Sequence, residues 1–280
     1  MRGNLMPQKR SKSKRIGLIG CGAIGGTLAK KVNERTSGRA QVAFLHDRDC
    51  AKAEMLAKSV LPHPAVTHLE KLISASDIII EAASAAIAAK VARLALEAGK
   101  DVLIMSVGGL LEHGSTFLSG NKQHGRLFIP SGAIGGLDAL RAIRLERIDD
   151  AVLRTYKPPK ALAGAPYFEE KGIDIGKIRG PQMVFSGSVN EAVKYFPQNI
   201  NVAAALALAL GSTEKLRVEI HCDPSLSRNI HEINVSGSFG RISFTAENVP
   251  SAENPKTSQL AVLSALSSLE HMLNPVSIGS

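Results

Sequence analysis

Short apolar runs separated by amphipathic stretches fill most of residues 16–130. The runs are apolar throughout and do not alternate with polar residues, which is typical of parallel strands buried on both faces. They predict strands over residues 16–19, 41–46, 77–81, 101–105 and 126–130. The stretches between them predict helices through residues 27–31 and over residues 50–60, 85–98 and 110–124. This alternation indicates an α/β unit with a doubly wound parallel sheet.

The pattern changes after residue 130, where strands begin to follow one another without helices between them. It predicts strands over residues 151–156, 182–187, 217–222, 231–237 and 241–247, and helices over residues 137–143, 190–196 and 201–210. Residues 157–160 are predicted to form a loop, and residues 238–240 a hairpin turn. We therefore expect a second α/β unit with a mixed sheet. An amphipathic helix over residues 257–273 is expected to pack back on the first unit.

The first strand enters the turn Gly20-Cys-Gly-Ala-Ile-Gly25, and a helix follows it. Strand, G-x-G-x-x-G and helix in this order form the phosphate-binding pattern of a Rossmann dinucleotide-binding domain. Gly20 permits the sharp turn, Gly22 lets a pyrophosphate approach the backbone, and Gly25 lets the helix pack closely on the strand. The free N–H groups at the start of the helix then face the phosphates.

Asp47 closes the second strand, twenty-five residues after Gly22. An acid at this point can bind the ribose 2′-hydroxyl of NAD, whereas an arginine such as Arg48 can hold the 2′-phosphate of NADP, so both cofactors stay open. Later loops also follow strands, and ligands of such sheets bind at the carboxyl ends of the strands. The cofactor-binding candidates are therefore Gly20, Gly22, Ala23, Ile24, Gly25, Asp47, Ala83 and Ser106.

Composition and charge change this picture little. The chain of 280 residues is 44% apolar, which is enough for one or two domains with a sizeable core. Six of its nine net positive charges lie in residues 1–15, so we expect a disordered basic tail over residues 1–14, and a nucleic-acid partner is disfavoured. No apolar run is suited to cross a membrane. Three cysteines without paired spacing indicate a cytoplasmic protein, with Cys21 either a small filler or a reactive thiol.

Several segments from Ile16 to the last helix resemble the L-aspartate dehydrogenase family. They are GLIGCGAIG, EAAS, SGAIGG, FPQNINVAAALALA, DPSLSRNIHEI and ENPKTSQLAVLSALSSLE. The segments of the second half carry the specificity, because the first half would fit several amino-acid dehydrogenases. The resemblance implies a Rossmann domain, here residues 15–131, and an α/β domain that binds substrate and dimerises through its sheet, here residues 132–255. The helix within residues 256–280 then returns to the Rossmann domain.

The resemblance also implies an activity. The family oxidises L-aspartate with NAD or NADP to iminosuccinate, which water converts to oxaloacetate and ammonia, and it catalyses the reverse amination. The imine can feed quinolinate formation for NAD synthesis. By the family's motifs, His231 is the active-site residue, and Ala133 and Asn201 contact the cofactor. The expected partners are this small-molecule substrate and a second copy of the chain.

The residues by themselves leave these roles open. Amine oxidation needs a group that exchanges protons near neutral pH, as a histidine can, but His231 could also form only a structural hydrogen bond. Asn201 could cap its helix, and Asn199 competes with it for a role at the cofactor. The backbone N–H groups of Ser131 and Gly132 could bind a substrate carboxylate or the nicotinamide ribose, or could belong to a tight turn.

A dicarboxylate substrate needs cationic partners. Lys160 and Arg228 are the candidates, with Arg144 a weaker one, although each could be a solvated surface charge. Residues 221–223 alternate between the faces of a strand, so they cannot converge on a metal, and no metal is expected. Two other functions remain open: a related aspartate-pathway dehydrogenase or reductase acting on a semialdehyde or cyclic imine, and a non-catalytic dinucleotide-binding sensor.

Overall fold

The computed structural model describes residues 13–113, 117, 125–197, 200–251, 258–276 and 278. The first half of the chain contributes six strands: β1 (Lys14–Ile19), β2 (Ala40–His46), β3 (Ala65–Val66), β4 (Ile78–Glu81), β5 (Asp101–Ile104) and β6 (Leu127–Phe128). They form one sheet in the order β3-β2-β1-β4-β5-β6, and every neighbouring pair is parallel. This is the strand order of a Rossmann domain, which confirms the predicted fold class.

Helices cover both faces of this sheet, as its uniformly apolar strands require. They are α1 (Ala23–Arg35), α2 (Cys50–Ser59), α3 (Leu69–Ala75) and α4 (Ala85–Glu97). On one face, Leu28 and Val32 of α1 pack in a core with Ile16 and Leu18 of β1. On the other face, α4 and α3 pack in a separate core with the opposite side chains of β4 and β5. Because helices cover both faces, a ligand can reach this sheet only at the ends of its strands.

The second half forms a five-stranded mixed sheet. Its strands are β7 (Ile148–Lys157), β8 (Gln182–Ser188), β9 (Leu216–Cys222), β10 (Asn229–Gly237) and β11 (Gly240–Asn248). Their order is β11-β10-β7-β9-β8, in which only the pair β7 and β9 is parallel. Gly237 pairs with Gly240 at the turn between β10 and β11, which confirms the predicted hairpin.

The described part of the second half contains five α-helices, and one of them joins the two sheets. They are α5 (Leu137–Ile143), α6 (Pro159–Leu162), α7 (Pro166–Glu170), α8 (Val189–Tyr195) and α9 (Asn201–Leu210). Every residue of α9 after Asn201 is buried. Ala204, Ala205 and Leu208 lie in a core of the first half, whereas Leu206 and Leu210 lie in the core of the second. Because α9 is shared, the two halves form a common interface at its N-terminus.

The last helix, α10 (Gln259–Leu273), packs on the first half of the chain. It contacts α1, and its residues Val262, Leu266 and Leu269 lie in the same core as β1. Ser258 caps the helix, since its hydroxyl accepts a hydrogen bond from the N–H of Ala261 at 3.2 Å. In the part of the chain that the structure describes, no helix is both long and apolar enough to cross a membrane.

Four local predictions need correction. Residues 157–160 are not a loop, because β7 extends through Lys157, which pairs with Cys222, and α6 begins at Pro159. Asn201 does not cap α9, because the capping position is Ile200 and no side chain bonds there. The strand predicted over residues 126–130 is shorter, Leu127–Phe128, whereas the helix predicted over residues 137–143 is confirmed as α5.

The fourth correction concerns residues 110–124, where a helix was predicted. The described part is a 3-10 helix, Val107–His113, that starts earlier. The remainder lies almost entirely outside the described residues, as do Asn199, Thr257 and nearly all of the basic tail. The short elements β3, α3, α6 and α7 were not predicted, because runs of two to seven residues carry little periodicity.

Candidate active site

The glycine turn after β1 has the geometry of a phosphate cradle. Gly20 has a φ of +96°, and a Cβ there would lie 2.6 Å from the backbone of Ala82 and Ala83. A Cβ on Gly25 would lie 1.9 Å from the carbonyl oxygen of Gly20, so α1 approaches the turn too closely for any side chain. At Gly22, by contrast, a Cβ would meet no atom within 4 Å. This open space lies next to Gly22, where a pyrophosphate needs to approach a backbone without a side chain.

The N-terminus of α1 leaves its N–H groups available. No side chain caps the helix at Gly22, and its first turn contains no acid. The helix dipole and these N–H groups favour an anion at this point. The residues present therefore fit a dinucleotide, with Gly22, Ala23 and Ile24 at its phosphates.

Asp47 lies beside this turn at the end of β2. Its Oδ2 accepts a hydrogen bond from the N–H of Cys21 at 2.7 Å, and its Oδ1 accepts one from Asp49 at 2.9 Å. These bonds hold the carboxylate at the edge of the cradle, and the neighbouring Arg48 is exposed. Burial, together with the charge of Asp47, raises the pKa of the Cys21 thiol to about 12. Cys21 therefore stays protonated, and the alternative of a reactive thiol is wrong.

Glu81, a residue that sequence reasoning missed, is completely buried at the end of β4. Its carboxylate accepts hydrogen bonds from the N–H groups of Ala83, Ser84 and Ser106 at 2.7, 3.0 and 3.1 Å, and from the Ser106 hydroxyl at 2.9 Å. Burial raises the pKa of Glu81, although these hydrogen bonds act in the opposite direction. Both polar donors of Ser106 and the N–H of Ala83 are thus bonded within the protein. A cofactor would have to contact Ala83 and Ser106 through other atoms, and their role at the cofactor stays a prediction.

A cavity lies where the strand-end loops of the first half meet the inner face of the second sheet. Its described lining combines the glycine turn, the loops after β5 and β6, the starts of α9 and α10, and strands β7 and β10. The lining residues are Ile24, Met105, Val107, Pro130, Ser131, Gly132, Ala133, Lys157, Asn201, Val202, Asn229, His231, Ser258 and Ala261. The structure therefore brings Ile24, which follows the phosphate-binding glycine, into one cavity with His231.

His231 is on the inner face of β10, where it pairs with Thr155 of β7. Its Nδ1 lies 3.0 Å from the Thr155 hydroxyl, which leaves Nε2 as the ring nitrogen without that partner. Burial and then the positive charge of Lys157 lower the pKa of His231 to about 3. The imidazole is therefore neutral at physiological pH, in contrast to an exposed histidine, which exchanges protons near neutral pH.

Lys157, which sequence reasoning also missed, is the cation of this cavity. Only 4% of its surface is exposed, and burial lowers its pKa from 10.5 to about 8. That shift corresponds to roughly 3 kcal/mol of cost for holding the charged form at neutral pH. Within the described residues Lys157 has no hydrogen bond or ion pair through its ammonium group. A buried charge without a partner is costly, and such groups concentrate at functional sites.

Asn201 connects the two halves of the site. Its Oδ1 accepts a hydrogen bond from the N–H of Gly108 at 3.1 Å, and Gly108 belongs to the loop after β5. The Nδ2 group stays free to donate, because the described residues include no partner for it. At the neighbouring turn, Gly132 has a φ of +65°, and the carbonyl of Ala133 accepts a hydrogen bond from Asn248 at 2.9 Å. Ser131, Gly132 and Ala133 thus line the cavity as a fixed turn.

The cations chosen from the sequence lie elsewhere. Lys160, Arg228 and Arg144 are exposed, and the described lining of the cavity contains none of them. They were chosen by proximity to motifs, which does not reveal the direction of a side chain. In the described parts of the chain, no three His, Cys, Asp or Glu side chains come close enough together to hold a metal ion.

Comparisons with known proteins agree with this geometry. Residues 138–272 match the sequence model of the family described as aspartate dehydrogenase, C-terminal, and residues 20–130 match the NAD-binding domain of homoserine dehydrogenase. An L-aspartate dehydrogenase from Methanosarcina mazei is 44% identical over 95% of this chain and 99% of its own. One from Methanocaldococcus jannaschii is 40% identical over the same shares.

Solved structures give a consistent result. The crystal structure of aspartate dehydrogenase from Thermotoga maritima matches with a TM-score of 0.73 and 29% identity, over 95% of this chain and 99% of that one. A homoserine dehydrogenase from Thiobacillus denitrificans matches with a TM-score of 0.59 and 16% identity, over 94% and 73% of the two chains, which shows a shared fold. The two domains, the cofactor cradle and full-length identities above 40% lead to one conclusion: this chain belongs to the L-aspartate dehydrogenase family.

Proposed function

We propose that the protein oxidises L-aspartate with NAD or NADP to iminosuccinate, which hydrolyses to oxaloacetate and ammonia, and that it catalyses the reverse amination. One observation carries the proposal. The buried imidazole of His231 and the buried ammonium of Lys157 line the same cavity as Ile24 of the dinucleotide cradle. A dicarboxylic amino acid needs an anion-binding group and a proton acceptor next to a hydride acceptor, and this cavity combines all three requirements.

The chain's own residues divide between holding the cofactor and holding the substrate. Gly20, Gly22, Ala23, Ile24 and Gly25 form the turn that would bind the pyrophosphate, with Asp47 at the adenosine ribose. The candidates at the nicotinamide end are Ala133 and Asn201, which line the cavity. Bound NAD or NADP supplies the acceptor for the hydride that leaves Cα of the substrate.

His231 is the proposed proton acceptor. The bond between its Nδ1 and the Thr155 hydroxyl fixes the ring, and a neutral ring with the proton on Nδ1 presents an unprotonated Nε2 to the cavity. In this position His231 takes a proton from the substrate ammonium, which must be neutral before hydride can leave Cα. Once His231 has released that proton to solvent, the same nitrogen accepts a proton from the water that adds to the imine. General base catalysis of this kind contributes about 10²–10⁴-fold to rate.

The test measures reduced-nicotinamide absorbance with L-aspartate for the wild type and His231→Asn. We expect turnover by the wild type and a kcat about 10²–10⁴-fold lower in the variant. Affinity for NAD should stay within a factor of about two, because His231 lies outside the glycine turn. Near-normal kcat in His231→Asn would remove the catalytic role. Wild-type turnover of a semialdehyde or a cyclic imine but not of aspartate would identify a related reductase, and NAD binding without any turnover would identify a sensor.

We also propose that the enzyme is a cytoplasmic homodimer and that its imine product feeds NAD synthesis. The outer face of the second sheet supports the dimer. Glu219 there bonds to Arg154 at 2.8 Å and to Arg217 at 3.1 Å, and the ring of Tyr156 stacks on His221 with centroids 4.7 Å apart. Such an ordered polar face is suited to a symmetric partner. The cysteines Cys21, Cys50 and Cys222 are free thiols, which suits a reducing compartment. Sedimentation equilibrium should give the mass of a dimer, and a monomer mass would contradict it.

A further inference from the structure

The described lining of the cavity contains one cationic side chain, that of Lys157, and no carboxylate. Lys157 ends β7 with its side chain inside the cavity, and its ammonium group has no ion pair among the described residues. A protein normally neutralises such a buried charge with an acid. The described lining contains no such acid.

Among the described residues, the groups around Lys157 supply no anion to its ammonium. On β10 the facing titratable group is His231, and on β9 it is the thiol of Cys222, which pairs with Lys157 in the sheet. Asp223 donates its backbone N–H to the carbonyl of Lys157, but its carboxylate accepts from the N–H and hydroxyl of Ser225. The start of α9 and the turn at Ser131 contribute only uncharged groups.

We propose that Lys157 binds a carboxylate of the substrate and that this ion pair makes His231 a stronger base. The inference rests on the proposed function, because it assigns the substrate-binding cation of that same site. It replaces Lys160 and Arg228, which are exposed.

The second half of the proposal follows from the closeness of the two groups. Burial, and after it the positive charge of Lys157, disfavours protonation of His231. A carboxylate bound to Lys157 offsets the second of these effects, so His231 accepts a proton more readily once substrate is bound. An amine without a carboxylate would leave His231 a weak base. Lys157 therefore favours a carboxylate substrate in two ways. It binds the carboxylate, and the resulting ion pair activates His231.

The direct test is isothermal titration calorimetry of succinate, a dicarboxylate without an amine, into protein saturated with NAD. We expect the wild type to bind succinate and Lys157→Met to bind it about 10- to 100-fold more weakly, as the loss of a charge-assisted hydrogen bond predicts. Lys177→Met is the matched control, since Lys177 has a side chain 79% exposed and lies outside the cavity. It should bind succinate like the wild type.

Thermal unfolding separates this role from a structural one. Lys157→Met removes a buried unpaired charge, so its Tm at neutral pH should be equal to or above that of the wild type. A lower Tm together with weaker binding would show that Lys157 supports the fold, and would overturn the proposal. The proton NMR titration of the His231 ring is the readout for activation. Its pKa should be higher in Lys157→Met than in the wild type, both measured without succinate, and an equal or lower pKa in the variant would overturn the activation of His231.

Failure of this inference is distinguishable from failure of the proposed function. Aspartate oxidation with equal succinate affinity in the wild type and Lys157→Met would overturn the inference and leave the activity intact. Loss of kcat with unchanged succinate affinity in Lys157→Met would also overturn it, and would assign proton transfer to Lys157. Succinate binding that depends on Lys157, in a protein that does not oxidise aspartate, would support the anion site and reject the proposed substrate. Loss of succinate binding in Lys160→Met but not in Lys157→Met would instead assign the substrate carboxylate to the exposed Lys160.

Discussion

Alanine at Gly22 should weaken cofactor binding without disturbing the fold. The backbone at Gly22 has a φ of −72° and a ψ of −167°, which alanine adopts without strain. A Cβ there meets no protein atom within 4 Å. The methyl group therefore has space in the protein alone, and that space is where a pyrophosphate would approach the backbone.

The structure sets the size of both effects. Alanine in place of glycine at a compatible position stabilises a protein by about 0.4–1 kcal/mol, while the loss of the glycine cap costs a similar amount. The Tm of Gly22→Ala should therefore stay within about 4 °C of the wild type. A misplaced methyl in a close contact costs about 1–3 kcal/mol, so NAD should bind about 5- to 150-fold more weakly.

Two neighbouring glycines provide the contrast. A Cβ on Gly25 would lie 1.9 Å from the Gly20 carbonyl oxygen, so Gly25→Ala should lower the Tm markedly and weaken NAD binding through the distorted turn. A Cβ on Gly26 would meet only a Leu56 methyl at 3.8 Å, so Gly26→Ala should keep NAD affinity and raise the Tm slightly. Calorimetric NAD titration and thermal unfolding measure both quantities. Unchanged NAD affinity in Gly22→Ala, at an unchanged Tm, would refute the phosphate cradle.

Three further predictions concern the groups around the cradle and the cavity. Asp47→Ala should weaken NAD more than NADP in fluorescence titrations, because only NAD has the ribose hydroxyl that this carboxylate can bind, and an equal loss for NADP would contradict this role. Glu81→Gln should lower the free energy of unfolding by about 1–3 kcal/mol, since an amide cannot accept all four hydrogen bonds, while the exposed Glu97→Gln control should change little in denaturant titrations. Succinate affinity should fall as pH rises through about 8, where the free Lys157 loses its proton, and a flat profile up to pH 10 would contradict its role.

The first half of the fold was predictable because its signals are local. Continuous apolar strands, helical periodicity and the spacing of Gly20, Gly22 and Gly25 act within about thirty residues. These features therefore indicate a strand, a turn and a helix without information about distant contacts. The hairpin between β10 and β11 was predictable for the same reason.

The site was predictable only in part, because long-range pairing decides which side chains converge. Lys157 was assigned to a loop, since only its pairing with Cys222 shows that β7 continues to that residue. Glu81 was read as the end of a strand, and its function depends on loop amides up to twenty-five residues away. A residue type and a motif do not reveal whether a side chain points inward. Lys160 and Arg228, which are exposed, were selected only because they lie close to motifs in the sequence.

The resemblance to a family supplied what the residues alone could not. It identified His231, which local reasoning left between a catalytic and a structural role. The structure shows that the ring of His231 is buried, that its Nδ1 bonds to the Thr155 hydroxyl and that the charge of Lys157 acts on it. Its lowered pKa could not be predicted from the sequence, because it arises from burial and from Lys157 on another strand.

The central claim is that the cradle after β1 and the buried His231 face one substrate across a shared cavity. Its most direct measurement uses L-aspartate deuterated at Cα with NAD and with NADP, and follows deuterium in the reduced nicotinamide for the wild type and His231→Asn. The account predicts deuterium on the nicotinamide ring in the wild type, and transfer slowed by about 10²–10⁴-fold in the variant. Absence of deuterium from the ring in the wild type, or equal transfer rates in the two proteins, would contradict it.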